Sequence, residues 1–328
     1  MLRCAQIGCG YWGPNLLRNL IHNPDISVEG VLEIDPNRIE YLTKTHPSVK
    51  VFSSLNEIIN NSIIDAVVIA TPANTHFDLC CQVLKNNKHV LVEKPMAMTV
   101  EEIEIIDSLA KKNKLIAMAG HTFLYNDAVR YVKALIDKNS IGDIRYIYSQ
   151  RLNLGRIRSD VDALWNLGVH DISILQYWLD EPEPISINKF GMDYIQNDIH
   201  DVVFLNIHYP NNIIANLHVS WLDPQKVRKI TIVGSNKMVI YDDLAEDKIK
   251  IYDKGIDPMV NSEHSMDFDH QNIYFNYRVG DLFIPKIKYS EPLKNEISHF
   301  YDCINKNIKC LSDADHAKKV VKILQMSE

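Results

Sequence analysis

The turn Gly8-Cys9-Gly10-Tyr11-Trp12-Gly13 constrains this chain more than any other feature. It follows Leu2 to Ile7, which is apolar apart from Arg3 and Gln6, and it precedes Asn15 to Leu20, which has helical spacing. Glycines alone make ordinary turns; spaced G-x-G-x-x-G between a strand and a helix, they specify one geometry. Gly8 permits the tight turn. Gly10 lets the backbone approach a pyrophosphate lying against the first amides of the helix, and Gly13 lets that helix pack closely on the strand. Tyr11 and Trp12 fall inside the same turn and count with it as cofactor contacts.

The pattern then repeats. Ile26 to Leu32 reads as a second strand, Arg38 to Thr45 as a helix, and Val49 to Val51 as a short strand. Ser54 caps a helix that reaches Asn60, and Ala66 to Ala70 reads as a fully buried strand. A helix with the stripe Phe77, Cys80, Val83 and Leu84 follows, then the strand Val90-Leu91-Val92. Thr99, with Glu102 three residues on, opens a helix to Lys112 by a capping box, and Leu115 to Ala119 is the sixth strand. Six strands interleaved with helices predict a doubly wound parallel sheet, the Rossmann arrangement, over residues 1–121.

Ligands of such sheets sit at the carboxyl ends of the strands. Glu33 ends the second strand, at the place from which an acid grips the adenosine ribose, with Asp35 in reserve or acting as a helix cap. A carboxylate there would repel a 2′-phosphate, so NAD is favoured over NADP. The next strand end is Thr71-Pro72-Ala73-Asn74-Thr75-His76, whose small and polar residues suit a nicotinamide ribose. Thr71, Pro72 and Asn74 are cofactor candidates; His76 either touches the cofactor or is simply a first-turn helix residue. The fifth strand stops at Glu93-Lys94-Pro95, where Pro95 cannot donate to a ladder and biases Lys94 to an extended backbone. A solvated strand end is the ordinary meaning of a Glu-Lys pair, but here the pair stands where the ligand is expected.

Residues 122–328 change rhythm and predict an α+β domain for substrate binding and oligomerisation. Asp127 to Ile136 reads as a helix and Tyr146 to Asn153 as a strand with Arg151 and Asn153 on one face. Arg151, Arg156 and Arg158 could meet a diphosphate or carboxylate, or a solvated turn in the case of Arg158. The helix Leu164 to Trp178 carries an apolar stripe of Leu164, Leu167, Ile174, Leu175 and Trp178. Beside it runs a polar face of Asn166, His170, Ser173 and Tyr177. Asp171 falls in the apolar stripe and needs a partner if buried. Five strand-like runs follow between Ile185 and Tyr241, separated by turn signals, and predict a largely antiparallel open sheet. Its exposed apolar alternates would need a partner subunit, a homodimer or homotetramer. Asp253 to Ser290 reads as a long loop. Leu293 to Ile304 and Asp313 to Leu324 are closing helices that could pack back on the first domain.

Composition removes other classes. Thirty-five basic against 42 acidic residues give −7, which argues against nucleic acid or an anionic membrane as partner. No apolar run spans a bilayer, the first residues enter a strand at once, and a cytoplasmic location is expected. Cys4, Cys9, Cys80, Cys81, Cys303 and Cys310 include no Cys-x-x-Cys, so neither a metal site nor a disulfide framework is expected.

With these motifs assembled, the chain resembles the Gfo/Idh/MocA family of dehydrogenases over nearly its whole length. The resemblance rests on the glycine turn, Thr71-Pro72, Glu93-Lys94-Pro95, Asn166-Leu167-Gly168-Val169-His170-Asp171, and Ser290-Glu291-Pro292-Leu293-Lys294-Asn295-Glu296. It implies that Lys94 and His170 lie close to the reacting carbon. Many members carry Asp four residues before the His; here Asn166 stands there and cannot ionise, so no Asp–His relay is available. Asn166, with the runs His121 to Tyr125 and Leu164 to Leu167, looks like the branch acting on nucleotide-linked amino sugars. The expectation is an NAD-dependent dehydrogenase acting on a secondary alcohol of such a sugar or its uronic acid, in either direction. His170 would be the general base, Lys94 would hold the developing alkoxide, and Asn166 would orient substrate or base. Tyr125, Arg151 and Arg156 would contact the substrate. The alternatives are a free polyol or monosaccharide dehydrogenase, an enzyme that uses tightly held NAD through a transient ketone, and a non-catalytic NAD sensor.

Overall fold

The computed structural model describes residues 1–259 and 274–327. The chain forms two compact units, one of residues 1–127, 172–181 and 289–328, the other of residues 128–171 and 182–288. The two units interleave along the chain.

In the first unit, strand and helix alternate as β1 (Leu2–Ile7), α1 (Gly13–His22), β2 (Ile26–Leu32), α2 (Pro36–Thr45), β3 (Val51–Phe52) and α3 (Leu55–Ile59). They continue as β4 (Ala66–Ile69), α4 (His76–Lys85), β5 (His89–Glu93), α5 (Val100–Asn113) and β6 (Ala117–Gly120). The strands pair in parallel in the order β3-β2-β1-β4-β5-β6. β4 is buried along its whole length, which is why its sequence is an unbroken apolar run rather than an alternation. Asp35 caps α2 by accepting from Asn37 N–H at 2.8 Å. The Thr99–Glu102 capping box opens α5 as the sequence predicts. Ser54 precedes α3 but makes no side-chain cap; the neighbouring Ser53 bonds Glu57 instead.

The closing helices α8 (Pro292–Asn305) and α9 (Ala314–Met326) belong to this first unit, the second capped by Asp313. Leu293, Ile297, Phe300 and Cys303 of α8 join the core formed by Leu2, Leu16, Val68, Leu91 and Met118. Tyr125 is in that core too, with no exposed surface, its hydroxyl 2.8 Å from Ser312 Oγ. This corrects its expected role at the substrate: the side chain fills the interior.

The second unit is built on α6 (Asp127–Asp137), whose first residue belongs to the first unit, and an eight-stranded sheet. Its strands are β7 (Ile144–Leu154), β8 (Ser186–Met192), β9 (Val202–Tyr209), β10 (Ile213–Ser220), β11 (Leu222–Gly234), β12 (Met238–Asp242), β13 (Ile249–Met259) and β14 (Tyr274–Phe283). The order is β14-β13-β12-β11-β7-β10-β9-β8, antiparallel except between β7 and β10. Val203, Leu205, Ile207 and Tyr209 of β9 are buried, whereas Phe204, between them, is exposed. Phe204 lies opposite Phe190 and His218 and stacks on the latter at 4.2 Å. The expected loop over 253–290 is corrected in part, since β13 and β14 occupy much of it; residues 260–273 lie outside the described residues.

The predicted helix from Leu164 is two pieces. Leu164–Gly168 winds as a π-helical turn, and α7 (Val169–Trp178) continues it. A π turn holds an extra residue against the helical repeat and is found often where side chains must be re-aimed.

Candidate active site

In the first unit the glycine turn is tight where the motif demands it. Gly8 has φ +88°, and a Cβ there would sit 2.5 Å from Ala70 O. A Cβ on Gly13 would sit 2.8 Å from Gly8 O. Gly10 has no neighbour within 4 Å of that position. The turn is therefore closed at its base and open at its middle, and α1 has no acid in its first turn to repel an anion. These residues fit a dinucleotide pyrophosphate. Gln6, which the sequence presents only as a break in an apolar strand, braces the turn from inside. Its Nε2 donates to Gly8 O at 2.8 Å and Gly13 O at 3.0 Å.

Glu33 accepts from the backbone N–H of Cys9 at 2.5 Å, and from those of Ile34 and Asp35 at 2.7 and 3.0 Å. The acid thus ties the end of β2 to the glycine turn. Tyr11 is exposed, Trp12 is at the exposed edge, and Thr71, Pro72 and Asn74 line the end of β4 with partial or full exposure. His76 opens α4 and is buried, its two ring nitrogens 2.7 Å from Pro95 O and 2.9 Å from Thr71 O. Burial holds it below the usual imidazole range. From the first turn of α4 it links the proline-stopped ends of β4 and β5.

The end of β5 gathers the unusual electrostatics. Burial pushes the Glu93 carboxyl up to about 7, against the lowering effects of the Lys94 charge and of a hydrogen bond from the Trp12 indole. Glu93 keeps some surface, but its carboxyl oxygen lies 3.1 Å from where a Cβ on Gly120 would be. Gly120 is therefore the gap that admits this acid. Glu296 of α8, fully buried, is pushed well above the carboxylate range by burial and then by Glu93. It accepts from Thr122 Oγ1 at 2.9 Å, while its other oxygen has no hydrogen-bond partner among the described residues. His121 is buried beside them and held neutral, by burial first, then by His316 and Lys94. Its ring stands edge-on to His316 at 5.2 Å. His316 lies 2.9 Å from Ser173 Oγ and 2.8 Å from Glu181 Oε1. Glu181, also bonded by Lys319, is held down at about 2, with the His316 hydrogen bond the leading cause.

Glu296, which ends the Ser290–Glu296 motif, is the buried acid to which the sequence analysis gives no role. The available signal was an acid inside the stripe Leu293, Ile297 and Phe300, a place where a helix otherwise puts apolar side chains.

In the second unit Asn166 lies in the π turn and His170 in the first turn of α7, both half-buried. Arg151, expected at the substrate, is only 3 % exposed. Its guanidinium meets Asp171 in two bonds of 2.7 and 3.1 Å. This corrects its expected role and supplies the partner that a buried Asp171 requires. Arg156 is exposed, and Arg158 pairs with Asp160 at 2.8 Å.

A six-stranded Rossmann unit with an open glycine turn and a charged β5 end defines a dinucleotide-binding oxidoreductase fold, joined here to a large open-sheet unit. Residues 2–121 match the oxidoreductase family with NAD-binding Rossmann fold, and residues 129–240 match the GFO/IDH/MocA C-terminal domain. The chain belongs to the Gfo/Idh/MocA family.

Among its relatives is a UDP-N-acetylglucosamine 3-dehydrogenase from Acidithiobacillus ferrooxidans, 28% identical over 58% of this chain and 59% of that protein. Its solved structure superposes with a TM-score of 0.81 at 21% identity, covering 99% of this chain and 96% of that one. Another is the 2,7-anhydro-N-acetylneuraminate hydratase of Escherichia coli, 25% identical over 66% of this chain and 61% of that protein. A second similar structure, GenD2 from gentamicin A biosynthesis in complex with NAD, superposes with a TM-score of 0.81 at 19% identity, covering 99% of this chain and 93% of that one. The matches to these curated relatives span about three fifths of their length. Among the described residues, no helix is long and apolar enough to cross a membrane.

Proposed function

We propose that this chain is an NAD-dependent dehydrogenase acting on a secondary alcohol of a nucleotide-linked amino sugar or its uronic acid, in either direction. The observation that carries the reading is the pairing, in one parallel sheet, of a glycine turn open at Gly10 with a β5 end bearing Lys94 beside an abnormally basic carboxyl, Glu93. The relative named for UDP-N-acetylglucosamine supports the substrate class.

Gly8, Gly10 and Gly13 would hold the pyrophosphate of NAD, and Glu33 the adenosine ribose. Glu33 also favours NAD over NADP by charge. NAD supplies the hydride acceptor when bound. His170 takes the hydroxyl proton and Lys94 stabilises the developing alkoxide; the two roles are interchangeable if Lys94 is driven toward neutrality. Asn166, which cannot ionise, orients His170 or the substrate. Glu93, with its carboxyl proton in play near neutral pH, is positioned to tune the charge of Lys94. Homo-oligomerisation through the exposed face carrying Phe190 and Phe204 completes the proposal, and is tested by whether Phe204→Glu reduces the assembly size in solution.

The test pairs Lys94→Met and His170→Asn with a panel of nucleotide-linked and free sugars, followed by NADH absorbance. Turnover is expected to fall about 10²–10⁴-fold in each variant, with NAD affinity nearly unchanged. Undiminished turnover in Lys94→Met would falsify the assignment. The hydratase relative favours a second reading, in which NAD is reduced and reoxidised within one turnover. Product formation without net NADH would select it.

A further inference from the structure

We propose that His299, Cys303 and Cys310 form a binding site for a thiophilic divalent ion, zinc in the first instance. His299 and Cys303 stand four residues apart on α8, so both face one side of the helix. The chain leaves α8 after Asn305 and returns Cys310 to the same place. One ligand atom from each of the three, an imidazole nitrogen and two sulfurs, lies within 4.8 Å of the other two. His299 Nε2 is 3.3 Å from Cys303 Sγ and accepts the Leu311 N–H at 3.0 Å, a hydrogen bond that metal binding would exchange for a metal–nitrogen bond. The sulfurs are buried, with Cys303 2% and Cys310 8% exposed, while His299 is half-buried.

Two thiolates and an imidazole are a soft donor set, matched to zinc by ligand type. In a tetrahedral zinc site the donor atoms stand about 3.6–3.8 Å apart, so the widest separation here must close by about 1 Å. That is a side-chain rotation rather than a rearrangement of α8. Three protein donors leave a fourth position, on the half-buried His299 side. Binding replaces two S–H bonds by two metal–sulfur bonds and releases two protons to solvent, with the imidazole bound neutral. Simple core cysteines would satisfy the burial; what points to a site is the convergence of three donors from two separate segments within 4.8 Å of one another.

The position matters to the fold. Ser312, two residues past Cys310, accepts from Ala119 N–H through its backbone oxygen at 2.8 Å and donates through its hydroxyl to Ala119 O at 2.7 Å. A metal held here would clip α8 to the segment that extends the parallel sheet beyond β6.

The experiment uses the full chain, stripped with chelator under reducing, oxygen-free conditions, and titrated with cobalt(II) and then zinc(II). One cobalt per chain with thiolate charge-transfer absorption is expected, bleached by one equivalent of zinc, with zinc raising the thermal midpoint. Cys303→Ser and Cys310→Ser should each weaken binding about a hundredfold or more while keeping the native circular dichroism. A measurement without variants guards against misfolding: zinc should protect Cys303 and Cys310 from alkylation in the native chain. Absence of the charge-transfer band, or its survival in the double serine variant, would each overturn the site.

Discussion

Two buried charge clusters in this molecule have opposite designs. In the second unit Arg151 and Asp171 meet in two bonds, with side chains 4% and 3% exposed. Opposite charges compensate, and the pair can stay ionised in the interior. In the first unit the charge that Glu296 faces is another carboxyl, Glu93, and both are driven toward their protonated forms. The first arrangement holds a fold together. The second works against the fold unless it keeps a proton, and groups shifted in that way gather where chemistry is done. Burial alone therefore does not separate structural from functional charge; what differs is whether an opposite charge bonds the group in full, as Arg151 bonds Asp171.

The comparison breaks most visibly if Asp171 is replaced. Asp171→Ala strands Arg151 in the interior and should cost about 3–5 kcal/mol, read by urea unfolding. The double replacement Arg151→Met with Asp171→Leu should recover most of that loss. A single variant as stable as the parent would show that Arg151 finds water.

The acid pair sharpens the comparison through pH. Glu93 has a folded value of about 7 against an ordinary 4.5, so the folded chain holds this proton more tightly than the unfolded one. Its stabilising contribution is complete below about 4.5 and is lost as pH rises through about 7. In Glu296→Gln one facing carboxyl is gone, and the loss across that window should shrink by on the order of 1–3 kcal/mol. Identical unfolding profiles between pH 4.5 and 8 in parent and variant would separate the two acids.

The smallest effect is expected at Glu181, an intermediate case with a partly exposed carboxylate bonded by His316 and Lys319. Its folded value of about 2 means its contribution is present above about 4.5 and fades as pH falls toward 2. Exposure screens it, so Glu181→Gln should cost roughly 1 kcal/mol at neutral pH, measured by thermal melting.

The parallel sheet was legible because strands buried on both faces leave an unbroken apolar trace, as in Ala66 to Ile69. β13 and β14 were not. They form one edge of an open sheet, and their register shifts between Tyr252 and Lys254, where Asp253 and Asp281 interrupt any alternation. At the site, the glycine turn and Lys94 are local features of strand ends and are visible in sequence. Asp171 announces that it needs a partner, but the partner, Arg151, lies on another element, and no local pattern joins the two. Glu296 and Glu93 are separated by the whole second unit along the chain, and no local pattern joins them. Tyr125 belongs to the run His121 to Tyr125 that carries part of the resemblance, and resemblance does not show that its hydroxyl is satisfied inside by Ser312.

Because the nucleotide-binding unit draws on three separate stretches of chain, it has no contiguous gene fragment. A truncation ending at Asp127 would strip Tyr125 of Ser312, Thr122 of Glu296 and His121 of His316. Swapping substrate modules between related enzymes therefore calls for an insertion graft that preserves both returning segments, not a simple cut and splice.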